Sequence, residues 1–311
     1  MKVDLGAFDL WEMVGVGGHP PKQRQNPTIA QMKQHSEEGA MRSEGEPTLY
    51  TKTIVDDEEL IVSIYVDDIL VTGLANNSMV EFKENMMREF EKTNLRLMTY
   101  FLGLEFIQTN DYIMLHQRKY ALELLKRFKM ENCKSINNPI ATNLKLSSSD
   151  NEGLADPSLF RSVIRSSLYL SSSRPDIMFS TNLLSRFMHN PSMAHLAVAK
   201  RVLRYVKGNA NYGIKYGKTC SYHLCGYSDN DWARNLDDSK STSGFVFSFG
   251  NGVFPWNSKK QEVVAQSTTD VEYISVAMAT NHAVWLRKTL LDLGFVQEGP
   301  TDLWVDNSSH G

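Results

Sequence analysis

Apolar positions along this chain follow two different periods, and the places where the period changes mark its elements. Leu60-Ile61-Val62-Ser63-Ile64 and Ile69-Leu70-Val71-Thr72-Gly73 are β-branched runs, the composition of buried strands. Tyr65-Val66-Asp67-Asp68 lies between them, so the pair predicts a hairpin with two carboxylates at its tip. A helix follows from Met79 to Phe90, then strands near Met98–Gln108 and Tyr112–His116, with Asn110-Asp111 at the turn. Ala121, Leu124, Leu125 and Phe128 recur at helical spacing, a stripe for core burial. Ser147-Ser148-Ser149-Asp150-Asn151-Glu152-Gly153 is a linker by composition. Phe160, Val163, Ile164 and Leu168 repeat helically, Pro175 suits a first helical turn, and Pro191 opens a helix that Gly208 closes. From Tyr222 strands return, at Tyr222–Ser228, Phe245–Phe249 and Val253–Asn257, the last two joined by Gly250-Asn251-Gly252. Ser267-Thr268-Thr269-Asp270 has capping-box spacing and opens a helix to about Leu293, with Gly294 as its stop. Asp302–Val305 is a final short strand, which makes the C-terminal order βββαβ.

At 311 residues the chain has room for two ordinary domains. Its 41% hydrophobic and 22% charged content is that of a globular protein. No apolar run approaches the ~20 residues of a membrane helix, and the first residues lack the apolar core of a secretory signal. Cys133, Cys220 and Cys225 are odd in number and have no zinc-site spacing, the usage of a reducing, intracellular compartment, whether cytoplasmic or nuclear. The net charge of −3 argues against a generic polyanion binder, but its distribution argues the other way. From Ile177 to Ser228 there is no Asp or Glu, while Arg186, Lys200, Arg201, Arg204, Lys207, Lys215 and Lys218 all fall there among aromatics. Such a stretch could neutralise phosphates and stack on bases; a solvated basic helix face is the plainer alternative.

Two sets of acids carry candidate chemistry. Asp67 and Asp68 form the first. Asp229, Glu272 and Asp306 form the second, at the end of one strand, in the first turn of the long helix, and at the end of the last strand. A right-handed crossover would lay the last strand parallel to the first and bring the three acids to one end of the sheet. Carboxylates so placed need a cation, and hard oxygen ligands beside a phosphate point to Mg²⁺ or Mn²⁺. Asp231, Asp237 and Asp238 read as structural or turn residues.

Several blocks, in this order, resemble a copia-type retrotransposon Pol polyprotein. They are Glu46-Pro47-Thr48-Leu49-Tyr50-Thr51-Lys52, the hairpin from Ile61 to Gly73, Tyr100-Phe101-Leu102-Gly103-Leu104-Glu105, Gln117-Arg118-Lys119-Tyr120-Ala121 and Ser173-Arg174-Pro175-Asp176-Ile177. Lys200 to Gly208, Ser228-Asp229-Asn230-Asp231-Trp232, Lys240-Ser241-Thr242-Ser243-Gly244 and Glu272-Tyr273 continue the series. The resemblance implies an α+β chain. An incomplete reverse-transcriptase palm and following region would occupy 42–150, a helical connection 151–219, and a truncated RNase H-like domain 220–311. Residues 1–41 are similar to part of a gag protein and are expected to be poorly ordered, with Gly15-Val16-Gly17-Gly18-His19-Pro20-Pro21 as a loop.

The same resemblance makes Asp67 and Asp68 polymerase-like metal ligands and Asp229, Glu272 and Asp306 ribonuclease-like ones, holding Mg²⁺ or Mn²⁺ against an RNA–DNA hybrid or a template–primer. Arg186, Lys200, Arg201, Arg204, Lys207 and Lys215 would contact the nucleic acid. No membrane is implied. A working palm needs a third Asp on an earlier strand, and nothing before Glu46 matches it. The nuclease pattern continues beyond Gly311 in the family, and Arg165-Ser166 and Arg234 stand where it has small residues. These departures predict nucleic-acid affinity with little or no catalysis, and self-association through exposed sheet edges. An active Mg²⁺-dependent hybrid nuclease and a non-enzymatic nucleic-acid-binding module are the alternatives.

Overall fold

The computed structural model describes residues 12–15, 40–53, 59–66, 68–73, 76–89, 93–142, 144–149, 152–219, 221–232 and 235–306. The segments 1–11 and 16–39, Asp67, Cys220, Arg234 and 307–311 lie outside them. Among the described residues no helix is long and apolar enough to cross a membrane.

The first unit is a six-stranded sheet in the order β2-β3-β4-β5-β1-β6. Its strands are β1 (Glu12–Gly15), β2 (Ala40–Arg42), β3 (Leu49–Thr53), β4 (Glu59–Tyr65), β5 (Asp68–Gly73) and β6 (Thr93–Leu97). The alternating positions Leu60, Val62 and Ile64 of β4 and Ile69 and Val71 of β5 are buried on one face. Helix α1 (Asn76–Glu89) covers that face through Met79, Phe82 and Met86, spaced at i, i+3 and i+7.

The next unit joins a small sheet to helices. Its strands β7 (Tyr100–Phe101), β8 (Leu104–Gln108), β9 (Tyr112–His116) and β10 (Gly213–Gly217) lie in the order β10-β9-β8-β7. The single strand expected over Met98–Gln108 is instead a hairpin turning at Leu102 and Gly103, both at positive φ (49° and 78°). The Tyr169 hydroxyl donates to the Leu102 carbonyl at 2.7 Å and holds that turn. The helices are α2 (Arg118–Arg127), α3 (Pro157–Leu170), α4 (Met178–Ser185) and α5 (Met193–Gly208). Ala121, Leu124 and Leu125 of α2 share one core with Phe160, Ile164, Leu184, Val202 and Val206. Helix α2 packs with the helices beyond residue 151, and β10 pairs back onto β9.

The C-terminal unit has the βββαβ order read from the sequence. Strands β11 (Leu224–Asp231), β12 (Thr242–Phe249), β13 (Gly252–Lys260) and β14 (Asp302–Val305) run in the order β13-β12-β11-β14, with β11 and β14 parallel. Helix α6 (Thr268–Asp292) opens on the expected capping box, Asp270 N–H donating to Ser267 Oγ at 3.1 Å and Ser267 N–H to the Asp270 carboxylate at 3.1 Å. Leu224, Phe245, Phe247, Ala279, Leu286 and Leu290 form the core between sheet and helix.

Polar side chains tie the units together. Asp292 at the end of α6 accepts Ser43 Oγ at 2.6 Å and Glu44 N–H at 3.0 Å, and Trp285 Nε1 donates to the Gly45 carbonyl at 2.9 Å. The serine linker is pinned: Ser147 Oγ and Ser148 Oγ donate to Asp237 at 2.6 and 2.7 Å.

Candidate functional site

The hairpin expected between the β-branched runs is present. β4 and β5 pair antiparallel with Tyr65 opposite Asp68, and Val66 lies in the turn between them. Val66 takes a φ of 52°, costly for a β-branched residue. Asp68 is half-buried at the start of β5, and Asp67 lies outside the described residues. The neighbour of β5 on its free side is β1, from the segment expected to be poorly ordered, with Gly15 in a strand and not in a loop. Register sets Val14 opposite Ile69 and Glu12 opposite Val71. The strand beside Asp68 thus brings a glycine nearest to it. Its one acid lies three positions away, about 10 Å along a strand.

The second set is brought together in part. In the parallel pair β11–β14, Tyr227 lies opposite Trp304 and Ser228 opposite Val305, so Asp229 and Asp306 follow side by side. Both line a cleft of about 990 Å³ between the open face of this sheet and Pro175, Asp176, Met178 and Phe179 of the helical unit. Tyr227 and Trp304 are 49% and 62% exposed in it, an apolar floor beside the acids. Glu272 lies on α6, one turn before Ser275. Ser275 Oγ donates to the Asp229 carbonyl at 3.1 Å and meets Ser228 Oγ at 2.7 Å, which seats that turn against the Asp229 end of β11. The three acids nevertheless do not form a cage. Among the described residues no group of three or more His, Cys, Asp or Glu is arranged to hold a metal ion. The donor chemistry suits a hard divalent cation, but the set as arranged does not close around one. Asp231 is structural, its Oδ1 accepting Thr242 N–H at 2.6 Å, and Asp238 is bound to Lys260 Nζ at 2.6 Å.

Several cations of the basic stretch make contacts within the fold. Arg186 donates to Thr242 Oγ1 at 2.7 Å, bridging α4 to the C-terminal sheet, and burial pulls its pKa below the ordinary guanidinium value. On α5, Arg204 Nε and Lys207 Nζ donate to the carbonyls of Lys134 and Cys133 at 2.8 and 2.7 Å. Those two cations clamp the loop after α2. Arg201 is half-buried on the same helix, with Lys200 exposed next to it. Lys215 lies 4.4 Å above the Tyr112 ring. Lys200 and Lys215 remain exposed to solvent.

A residue set that sequence reasoning left without a role holds the cleft wall. Arg174, 2% exposed, grips Asp176 with Nε and Nη2 at 2.8 and 2.7 Å and donates Nη1 to the Asn209 carbonyl at 2.8 Å. The Tyr205 hydroxyl donates to the same carboxylate at 2.8 Å. Burial alone would raise the Asp176 pKa, but the hydrogen bonds and charge of Arg174, with Tyr205, hold it below the ordinary carboxylate value. Gln117 is likewise buried, its Oε1 accepting Ser173 Oγ at 2.7 Å. Both lie in blocks that carry the family resemblance, but nothing in their spacing points to these contacts.

With this geometry in view, similarity to known proteins becomes informative. The family profile described as "Reverse transcriptase (RNA-dependent DNA polymerase)" matches residues 25–142, beginning upstream of the boundary expected at 42. The Pol polyprotein from transposon RE1 of Arabidopsis thaliana is 39% identical over 246 residues. This chain belongs to the copia-type retrotransposon Pol family. The RE1 match covers 78% of this chain and 17% of that protein. A match to the Pol polyprotein from transposon TNT 1-94 of Nicotiana tabacum is 31% identical and covers 83% of this chain and 20% of that one. The chain therefore spans about a fifth or less of the Pol polyproteins it matches. An uncharacterized mitochondrial protein of Arabidopsis thaliana, AtMg00810, is 34% identical, with 71% of this chain and 92% of that protein aligned.

Proposed function

We propose that this Pol-family chain is a catalytically silent reverse transcriptase and RNase H remnant that still binds nucleic acid. One observation carries the loss of polymerisation. The strand next to Asp68 is β1, and its residue nearest that acid is Gly15, so among the described residues β1 brings no third carboxylate to the hairpin tip. Mg²⁺ bound there would stabilise the charge of a transferring phosphate. Among the described residues at the hairpin tip, Asp68 offers it the one carboxylate.

For the C-terminal unit, the βββαβ order and the Asp229–Asp306 register support an RNase H ancestry. Binding would use the stacking surfaces of Tyr227 and Trp304 together with the exposed Lys200 and Lys215. The partner this suits is an RNA–DNA hybrid or template–primer. The cleft's own acids, Asp176, Asp229, Asp231 and Asp306, repel phosphates, so affinity should rise with divalent cation.

Titration of a fluorescent RNA–DNA hybrid at several salt concentrations tests the reading. Each phosphate contact contributes a slope of about −0.9 in log affinity against log salt. Reversing both exposed lysines, Lys200→Glu with Lys215→Glu, should cut affinity and shallow the slope. A flat salt profile, or no effect of the reversals, would remove the binding claim.

The side-by-side Asp229 and Asp306 favour one second reading, an Mg²⁺-dependent hybrid nuclease in which Glu272 moves in as a third ligand. Hybrid cleavage abolished by Asp229→Asn would establish it.

A further inference from the structure

The arrangement of the first sheet raises a separate question: what holds β6 to it. In the order β2-β3-β4-β5-β1-β6, β1 stands between β5 and β6, and β6 has no other partner strand among the described residues. Four residues thus satisfy two strands at once. Toward β5 the register is Glu12↔Val71, Met13↔Leu70 and Val14↔Ile69. Toward β6 it is Glu12↔Leu97, Val14↔Asn94 and Gly15↔Thr93, with a bulge between Glu12 and Val14. Without β1, β5 would become an edge strand, although Ile69 and Val71 on it are 1% and 0% exposed. Its unpaired amides and carbonyls would then need another partner.

From this topology we infer that the gap between β5 and β6 is a strand-acceptor site that takes an extended peptide segment antiparallel to β5. In this chain the occupant is its own Glu12–Gly15. The recognition is main-chain pairing, as in other cases of strand addition, with alternate side chains adding selectivity. The occupant need not share ancestry with the sheet it completes; it needs four residues free to extend and a bulge to meet both neighbours. A segment similar to gag can therefore restore a polymerase-like sheet without restoring its chemistry. The inference stands whether or not the chain binds nucleic acid.

The test uses the full-length chain. Met13→Pro removes one strand amide and fixes φ, whereas Met13→Thr keeps both the amide and a strand-compatible side chain. Hydrogen exchange is followed on β5 and β6, with β9 and β11 as internal references for global folding. Met13→Pro is expected to lower protection in β5 and β6 about tenfold or more while β9 and β11 hold, and Met13→Thr to stay near the parent. A synthetic peptide with the sequence of residues 8–19 should restore protection to the proline variant. Unchanged protection in Met13→Pro overturns the inference, as does loss that the peptide cannot restore. Protection in the parent that falls on dilution, together with a dimer, would show that the slot is filled by a second copy and overturn the assignment in cis.

Discussion

Asp176→Asn isolates the buried pair that builds one wall of the cleft. In the parent the Arg174 guanidinium is 2% exposed and each of its arms has a partner: two on Asp176 and one on the Asn209 carbonyl. The rings of Tyr212 and Tyr205 lie 5.3 and 5.7 Å from its carbon. Asparagine keeps the shape and removes the charge, so a buried cation is left without its counter-ion. Breaking such a pair from one side costs about 3–5 kcal/mol. Asp176 is itself 32% exposed, so water can partly replace it, and the lower end, about 3 kcal/mol, is expected. Native-state hydrogen exchange reads this directly. Amides of α5 should lose about a hundredfold in protection, while β3–β5 of the first sheet change little. Replacing the pair by apolar residues, Arg174→Met with Asp176→Leu, should recover most of the loss because no charge remains to be buried. A fall below about 1 kcal/mol in Asp176→Asn would refute the argument that this pair is desolvated and mutually dependent.

The sign of the pH effect follows from the same site. A carboxyl held below its ordinary value adds stability that is present above the unfolded pKa of about 3.9 and is lost as pH falls through the folded value; acid melts of the parent should show this loss at α5, and Asp176→Asn should not. His282 acts in the same direction at higher pH. Burial lowers its pKa, its ring lies 4.8 Å from that of Phe245, and its buried Nε2 has no hydrogen-bond partner. The C-terminal unit should therefore weaken progressively as pH drops below about 6.5, where the unfolded histidine takes up a proton and the folded one resists it; thermal melts of His282→Phe should be flatter over that range. Gly103→Ala should cost about 2–3 kcal/mol, since the residue sits at φ +78° and its Cβ would lie 1.6 Å from the Tyr169 hydroxyl, expelling that hydrogen bond; urea melts followed on β7–β8 check it.

Period and punctuation made much of this fold legible. The hairpin at Asp68, the α2 and α3 stripes, the capping box at Ser267 and the βββαβ order are all local patterns, and each depends on neighbours within a few residues. The parts that were not legible depend on pairing at a distance. Nothing in Glu12-Met13-Val14-Gly15 announces a strand, because it extends only where β5 and β6 present an open slot. The turn at Leu102-Gly103 has no local signature, because its positive φ angles are stabilised by Tyr169, far along the chain.

The candidate site divides in the same way. That β14 would run parallel beside β11 followed from a crossover rule, and the register pairs Ser228 with Val305, the residues just before Asp229 and Asp306. Spacing alone does not determine how closely Glu272 approaches, because that depends on how α6 seats through Ser275 on Ser228 and the Asp229 carbonyl. Charge counts cannot separate Arg204 and Lys207, which bind loop carbonyls, from Lys200 and Lys215, which face solvent.

Incubation of the purified full chain with a labelled RNA–DNA hybrid and Mg²⁺, with Asp229→Asn alongside, tests the account most directly. Catalytic silence with retained affinity predicts that the hybrid is bound and not cut, and that the two proteins behave alike. Cleavage by the parent that disappears in Asp229→Asn would contradict it and make the acids of β11, α6 and β14 a working nuclease centre.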